Sequence, residues 1–416
     1  MIRKNLRVNI SSNKTNISND NSPLFSILIP TRDRPSLTED LIDSILIQNF
    51  TDFELIISDN STNNDTQEVL NKIDDHRVIN YQTGNLNMAD NWESGIDQCS
   101  GLYLLIFSDK MVLKKNSLEY LANYIAKYSP SCINWNIDSF FDKELTYFKN
   151  RSVKKIAKID TTSILKEILN SEFDSVKLPC HCNSAISMSV IKSIKSMTGR
   201  VCMQLNPDYT LAYQVLLHID EIHDLGHSLS ILRYPSLKLG YGNGTSFMKK
   251  KGQSKKFMQD NSDWIVRTDK YDDVRMQSNN FGLDLILKDF YSILEKYKLN
   301  ADIFLNQDQR HINYYVYTYL EIIFRVNMGV NMDKELKLWK HSLSNEDLKI
   351  IGPVYKVTRK FIFRFLYIRV KRILLRNSAV ASLVHLLGDN IFRNHAQVFN
   401  SIEDCLDNVK ITQNFK

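Results

Sequence analysis

Leu24-Phe25-Ser26-Ile27-Leu28-Ile29-Pro30 runs directly into Thr31-Arg32-Asp33-Arg34-Pro35. An apolar run that stops at proline and gives way to polar residues reads as a buried strand ending in a turn. Downstream, the pattern repeats. Ser36 to Asn49 carries Leu37, Leu41 and Ile45 at helical spacing, with Ser36 as the expected N-cap. Phe53 to Asp59 is the next buried run, Asp65 to Asp75 a helix, Val78 to Tyr81 a short strand and Met88 to Cys99 another helix. Leu102 to Phe107 is a third strong apolar run. A helix over Asn116 to Tyr128 and a fifth strand over Cys132 to Trp135 follow. Strands that alternate with helices predict parallel βαβ units. Open sheets of that kind place ligands outside the carboxyl ends of their strands. The residues that decide function are therefore those just after each run: Thr31 and Arg34, Asp59 and Asn60, then Ser108, Asp109 and Lys110.

The rest of the chain is less regular. Residues 1–22 are rich in Asn and Ser and are expected to be a disordered tail. Residues 139–160 read as an irregular connection and 161–240 as mixed helix and strand. Residues 246–280 read as a flexible basic linker or loop, and 281–416 as a helical region. At 43% hydrophobic and 24% charged, the 416-residue chain has the composition of a globular protein with a sizeable core. The net charge of +6 is too mild to imply nucleic acid. The six cysteines form no disulfide framework, no signal peptide precedes the first strand, and no run of about 18 apolar residues could span a bilayer. A cytoplasmic protein is expected.

At the strand ends the sequence resembles the family 2 glycosyltransferases with the GT-A fold. The resemblance rests on four pieces in order. They are Phe25 to Pro35, Phe53 to Ser61, Asn85-Leu86-Asn87-Met88-Ala89-Asp90-Asn91-Trp92-Glu93-Ser94-Gly95, and Gly101 to Asp109. It covers residues 24–130 well and 180–245 loosely. It implies an α/β fold with a Rossmann-like, mostly parallel sheet that binds a nucleotide sugar, the catalytic domain running over residues 23–245. It also implies roles. Pro30, Thr31 and Arg34 border the nucleotide pocket, and Asp59 accepts from the base or ribose. Asn91 flanks the nucleotide, Asp109 holds the ribose hydroxyls, and Ser108 and Lys110 belong to the same donor site.

The sequence departs from the family at Ser108-Asp109-Lys110-Met111. The family carries a carboxylate pair here, whose second member binds Mg or Mn and neutralises the leaving diphosphate. Lysine stands in that position, and a cation cannot ligate a cation, so Asp109 is the only metal candidate left. Three readings follow. Lys110 replaces the metal as a fixed positive charge, or the donor carries a single phosphate as CMP-sugars do, or the site is inactive. An inverting displacement also needs a carboxylate to take the acceptor's proton. Asp208, in Asn206-Pro207-Asp208-Tyr209, is the expected base, although the Glu that precedes it in the family is missing. Asn183 and Ser184 are expected on the acceptor side.

The expected partners are a nucleotide-sugar donor and a saccharide or lipid-linked glycan acceptor. The basic, aromatic-rich segment from Tyr355 to Arg376 suggests a peripheral contact with an anionic membrane. The weighed alternatives are a non-catalytic GT-A-like protein that binds glycan or nucleotide in a polysaccharide assembly complex, and a nucleotidyltransferase. Residues 30–35 contain no glycine, against the second. Cys180, His181, Cys182, Cys202, His218, His223 and His227 lack the spacing of a structural zinc site.

Overall fold

The computed structural model describes residues 22–149, 155–169, 178–203, 206–234, 282–299, 333–341 and 396–409. The opening run forms β1 (Phe25–Thr31), buried along its whole length. It lies parallel to β2 (Phe53–Asp59) on one side and β4 (Tyr103–Ile106) on the other, and β2 carries β3 (Val78–Gln82) parallel at the outer edge. The order β3-β2-β1-β4 turns back on itself between β1 and β4, so a crevice opens at their carboxyl ends. β4 stops at Ile106, opposite Leu28. Beyond that point β1 has one strand neighbour, which admits Pro30.

Antiparallel strands extend the sheet past β4. β9 (Ser184–Ser187) joins β4 to β6 (Cys132–Phe141), which carries β7 (Thr146–Phe148) and then β11 (Ala396–Val398). β10 (Glu221–Tyr234) runs parallel to β6 and pairs antiparallel with β5 (Met111–Leu113) and β8 (Ala157–Asp160).

Alternation along β1 explains the layers, because successive side chains leave a strand on opposite faces. Phe25, Ile27 and Ile29 pack with α1 (Pro35–Leu46) and α4 (Ser117–Tyr128), whereas Leu28 packs with α3 (Met88–Asp97). α1 buries Leu37, Leu41, Ile42 and Ile45, the helical stripe seen in the sequence. Each such side chain stabilises the fold by about 1.5–3 kcal/mol. Between α3 and β4, Gly101 sits so close to β1 that a Cβ would lie 2.6 Å from the Ser26 nitrogen. The α3 face also holds α5 (Thr161–Leu169), α6 (Met188–Thr198), α7 (Pro207–His218) and α8 (Gly282–Lys296). α7 is buried on nearly every side, between α6 and α8, and its apolar residues accordingly show no single stripe.

Several local expectations change. α1 starts at Pro35 with Arg34 at the cap position and no side-chain cap bond, so Ser36 is not the N-cap. Proline at the first helical position does that work, being already set for helical φ and needing no N–H partner. The described residues between 139 and 160 are not an irregular connection. β6 continues to Phe141, and β7 and β8 follow. Asp138, a charge within β6, is buried against the Lys114 ammonium and the Tyr147 hydroxyl. The C-terminal stretch gives α8, α9 (Asp333–His341) and α10 (Ile402–Asn408), but also the strand β11. Residues 246–280 and 355–376 lie outside the described residues, as does the expected tail up to 21.

Candidate functional site

The crevice between the ends of β1 and β4 is built by Thr31, Arg34 and Asp109. Asp109 follows β4, and its side chain is 0% exposed. Its Oδ2 accepts from Thr31 Oγ1 at 3.0 Å and lies 3.0 Å from Arg34 Nε. Thr31 also touches Thr38 Oγ1 at 2.8 Å, fixing the strand end to α1. Burial raises the Asp109 carboxyl, and Arg34 and Thr31 oppose that rise. Lys110, half-buried next to it, is pushed below the usual lysine range by burial first and by the Arg34 charge second.

Arg34 has more donors than the site uses. Nη1 is buried and has no hydrogen-bond partner among the described residues. An orphaned guanidinium donor beside a lysine calls for an anion.

The same inventory tests a divalent ion. Such a cation needs carboxylate lone pairs. Asp109 already serves Thr31 and Arg34, the next residue is a cation, and the nearby orphan is a donor. The donor set fits a phosphate and does not fit a metal ion.

Asp59 ends β2 directly opposite Thr31 in the register, so it and Asp109 lie at the same end of the sheet. Asp59 is buried. Its Oδ1 accepts from the Ser61 backbone at 3.0 Å and its Oδ2 from Gln67 Nε2 at 2.7 Å, on α2 (Asp65–Leu70). A carboxylate has about four acceptor sites, so capacity remains. Asn91 lies on the other face. Its Oδ1 takes Ser58 Oγ at 2.7 Å and Thr83 Oγ1 at 2.8 Å, which fastens α3 to β2. Pro30 and Ser108 flank the crevice, the second through long contacts of 3.4 Å to Asp109 and 3.5 Å from the Lys110 nitrogen. The loops are tied together. Asp33, at φ 55°, accepts from the Thr62 nitrogen at 2.6 Å, and Arg32 donates to Asn85 at 2.8 Å.

Asp208 stands in the first turn of α7 behind Pro207, as expected. Burial pushes its carboxyl up to about 6. Cys182 feels both groups of charges. Burial pushes its thiol up to about 12, the Ser108 backbone N–H and the Lys110 charge oppose that rise, and the Asp208 and Asp109 charges add to it. Asn183 follows in a single 3-10 turn (His181–Asn183), with a buried Oδ1 that has no partner among the described residues. Ser184 donates to the Cys180 carbonyl at 2.7 Å, which commits that hydroxyl to its own loop.

One residue escaped the sequence reading. Asp289 on α8 is 3% exposed, accepts from Asn206 Nδ2 at 2.8 Å, and is raised well above the ordinary aspartate value by burial, with Asp208 adding to the rise. A second carboxyl therefore stands beside the expected base, although the sequence neighbour of Asp208 supplies none. Nothing local in the sequence marks it, since α8 is separated from α7 by more than the length of a domain loop. The histidines weighed for zinc have ordinary partners: His223 meets Tyr124 at 2.9 Å and Glu221 at 3.2 Å, and His218 meets the Gln214 carbonyl at 2.9 Å. Among the described residues no helix is long and apolar enough to cross a membrane.

Comparison with known proteins agrees with this geometry. The model named Glycosyl transferase family 2 matches residues 26–195. The GalNAc(5)-diNAcBac-PP-undecaprenol beta-1,3-glucosyltransferase of Campylobacter jejuni is 28% identical over 161 residues, 37% of this chain and 51% of its own length. The PGL/p-HBAD biosynthesis glycosyltransferase of Mycobacterium bovis is 28% identical over 114 residues, 26% of this chain and 44% of its own. The chain thus spans about half the length of the curated relatives it matches. Among solved structures, S. aureus TarS 1-349 in complex with UDP-GlcNAc aligns at 14% identity and a TM-score of 0.43, covering 70% of this chain and 78% of TarS 1-349. The switch-point crevice of Thr31, Arg34 and Asp109 lies within the segment, residues 26–195, that the model of glycosyl transferase family 2 matches.

Proposed function

We propose that the protein transfers a sugar from a nucleotide-sugar donor to a hydroxyl of a saccharide or glycolipid, with inversion and without a divalent metal. The reading is carried by the orphaned Arg34 Nη1 beside Lys110, at the mouth of the crevice that Asp109 floors. Asp109 and Asp59 would hold the ribose and base. Arg34 and Lys110 would face the phosphates and stabilise the negative charge that develops as the sugar–phosphate bond breaks. Asp208, poised near neutrality, would take the proton of the acceptor hydroxyl as its oxygen bonds to the anomeric carbon. The nucleotide leaves with its phosphate intact. The Campylobacter relative, whose name specifies an undecaprenyl-diphosphate glycan, favours a lipid-linked glycan acceptor of surface-polysaccharide assembly, reached at the inner face of the plasma membrane.

The test is a thermal-shift screen against UDP, GDP, CMP and dTDP sugars, with and without Mg²⁺ or Mn²⁺, since ligand binding to the native state raises the melting temperature. One nucleotide series is expected to shift it equally in EDTA. Lys110→Ala is expected to lower turnover by about 10²–10³-fold, the effect of losing one charge-stabilising group. Strict dependence on added metal would overturn the role given to Lys110, and no shift with any donor would overturn the transferase reading.

A further inference from the structure

We infer that Asp289, on α8, is a positioning residue for the expected base: by holding the Asn206 side chain it keeps that side chain off the N-terminus of α7 and leaves the first-turn N–H groups there to the Asp208 carboxylate. Its consequence for turnover rests on the transferase reading.

Asparagine is among the strongest helix caps, and a capping side chain accepts from the second or third N–H of its helix. Asn206 stands at the cap position of α7, yet it makes no side-chain cap bond. Its Nδ2 donates instead to Asp289 Oδ2 at 2.8 Å, and Asp289 is 3% exposed. Pro207 is first in the helix, so the N–H groups that a cap would take are those of Asp208 and Tyr209. The same two groups oppose the rise that burial imposes on the Asp208 carboxyl. Asn206 and Asp208 are thus rivals for one pair of donors, and Asp289 decides between them.

The packing of α8 on α7 fixes where Asp289 meets Asn206. Phe290, the next residue, is fully buried, with its ring centroid 4.8 Å from that of Tyr213 on α7. Beyond the end of α8, the Tyr297 hydroxyl lies 3.3 Å from Gln214 Oε1 and 3.2 Å from His218 Nδ1, late in α7. The helix pair is therefore joined at its start, middle and end.

The titratable groups that face Asp208 are Cys180 and Cys182 before β9, Cys202 after α6, Tyr209 and Tyr213 on α7, and Asp289. Burial raises every one of these thiols and phenols above its ordinary value, so none of them titrates alongside Asp208. Burial raises Asp289 as well, Asn206 opposes that rise, and the Asp208 charge adds to it. An ionised Asp208 thus favours a neutral Asp289, and the two carboxyls divide the work. Losing Asp289 has opposite effects under the two roles it could play. Release of Asn206 takes N–H donors from the Asp208 carboxylate and raises its midpoint, whereas loss of a repelling charge would lower it.

The test follows the Asp208 carboxyl by carbon-13 NMR titration of the full chain labelled at its aspartate carboxyls. The signal is assigned through its loss in Asp208→Asn, and kcat/KM is measured against pH in parallel. In Asp289→Leu the Asp208 midpoint is expected to move up by about one pH unit, the effect of one hydrogen bond lost from a charged group. Below the midpoint kcat/KM is expected to fall about tenfold with it. Asp289→Asn still offers Asn206 an acceptor oxygen and should leave the midpoint in place. Asn206→Ala combined with Asp289→Leu removes the rival and should restore the midpoint, a recovery that loosening of α8 would not give. If Asp289→Leu does not fold, Asn206→Ser decides, because serine caps the helix and offers Asp289 no amide, and its midpoint should rise likewise. An unmoved or lowered midpoint in the folded single variant, or no recovery in the double one, overturns the inference. A wild type without turnover on any nucleotide sugar would sink the transferase reading, while the carboxyl titration still decides the role of Asp289.

Discussion

Arg34 Nε lies 3.0 Å from Asp109 Oδ2, and Thr31 Oγ1 reaches the same oxygen at 3.0 Å. One buried carboxylate oxygen thus ties the end of β1 to the end of β4 and aims a guanidinium into the crevice. Arg34→Met leaves Asp109 buried without its cation. Removing one partner of a buried pair costs about 3–5 kcal/mol. Arg34 is 22% exposed, so solvent screening trims the expected loss to about 2 kcal/mol. Urea denaturation of Arg34→Met, Asp109→Asn and the double variant checks this. The double variant should recover much of the stability of Arg34→Met and none of its nucleotide binding. Additive losses would show that the pair is not coupled.

Asp208 should be a case in which function costs stability. Its folded value of about 6 lies above the ordinary aspartate value of about 3.9, and burial is the first cause. A raised carboxyl favours its neutral form in the fold. Stability from this group is therefore fully present below about pH 4, falls as pH rises through 4 to 6, and stays low above that. Asp208→Asn should stabilise the fold at pH 8 by up to about 3 kcal/mol, read as a higher melting temperature, and do little at pH 4. The same variant should lose transfer by at least about 10²-fold while still binding donor. In the wild type, kcat/KM should drop tenfold per pH unit below about 6. A flat profile between pH 5 and 7 would remove Asp208 from proton transfer.

The part of this machinery visible in the sequence is the part made locally. The run from Phe25 to Thr31 and the helix stripe of Leu37, Leu41 and Ile45 carry their own periodicity, so the β1–β4 unit and its strand-end residues could be read directly. That Asp109 pairs with Arg34 was not legible, since strand pairing joins residues far apart in sequence. Asp289 gave no signal at all, and Cys182 was read only within a cysteine–histidine cluster that lacks zinc spacing. Each reaches Asp208 by tertiary packing, one from a turn before β9 and the other from α8. Asp138 lies just past the Cys132 to Trp135 run, and the partners that let β6 carry a buried charge, Lys114 and Tyr147, come from the end of β5 and from β7.

Asn91 has its carbonyl oxygen committed to the framework. Ser58 Oγ and Thr83 Oγ1 both donate to it, at 2.7 and 2.8 Å. Asn91→Leu removes that acceptor, leaving the Ser58 hydroxyl the longer bond to the residue-91 backbone carbonyl at 3.1 Å and Thr83 the Asn60 amide oxygen at 3.2 Å. Losing the net contribution of such a side-chain hydrogen bond costs about 0.5–1.5 kcal/mol. The variant should melt earlier, with nucleotide affinity changed less than tenfold once the protein is kept folded by low temperature. A large loss of affinity with unchanged stability would instead put the Asn91 amide on the nucleotide.

Lys114, Asp138 and Tyr147 form a second buried polar group, away from the crevice. The Lys114 ammonium and the Tyr147 hydroxyl both meet Asp138 Oδ2, and Lys114 also reaches the Ser228 carbonyl at 3.3 Å. The Lys114 and Asp138 side chains are 3% and 0% exposed. Burial pushes Lys114 below the usual lysine range, and Asp138 opposes that shift. The group joins the residue after β5 to β6 and β7. Asp138→Ala strands an ammonium in the interior and should cost about 3–5 kcal/mol. Lys114→Met with Asp138→Leu removes both charges and should cost much less, because an apolar pair of similar volume needs no desolvation of ions. Guanidinium denaturation of the two variants decides the point. Equal destabilisation would mean that the lost contacts are steric and that the charges contribute nothing specific.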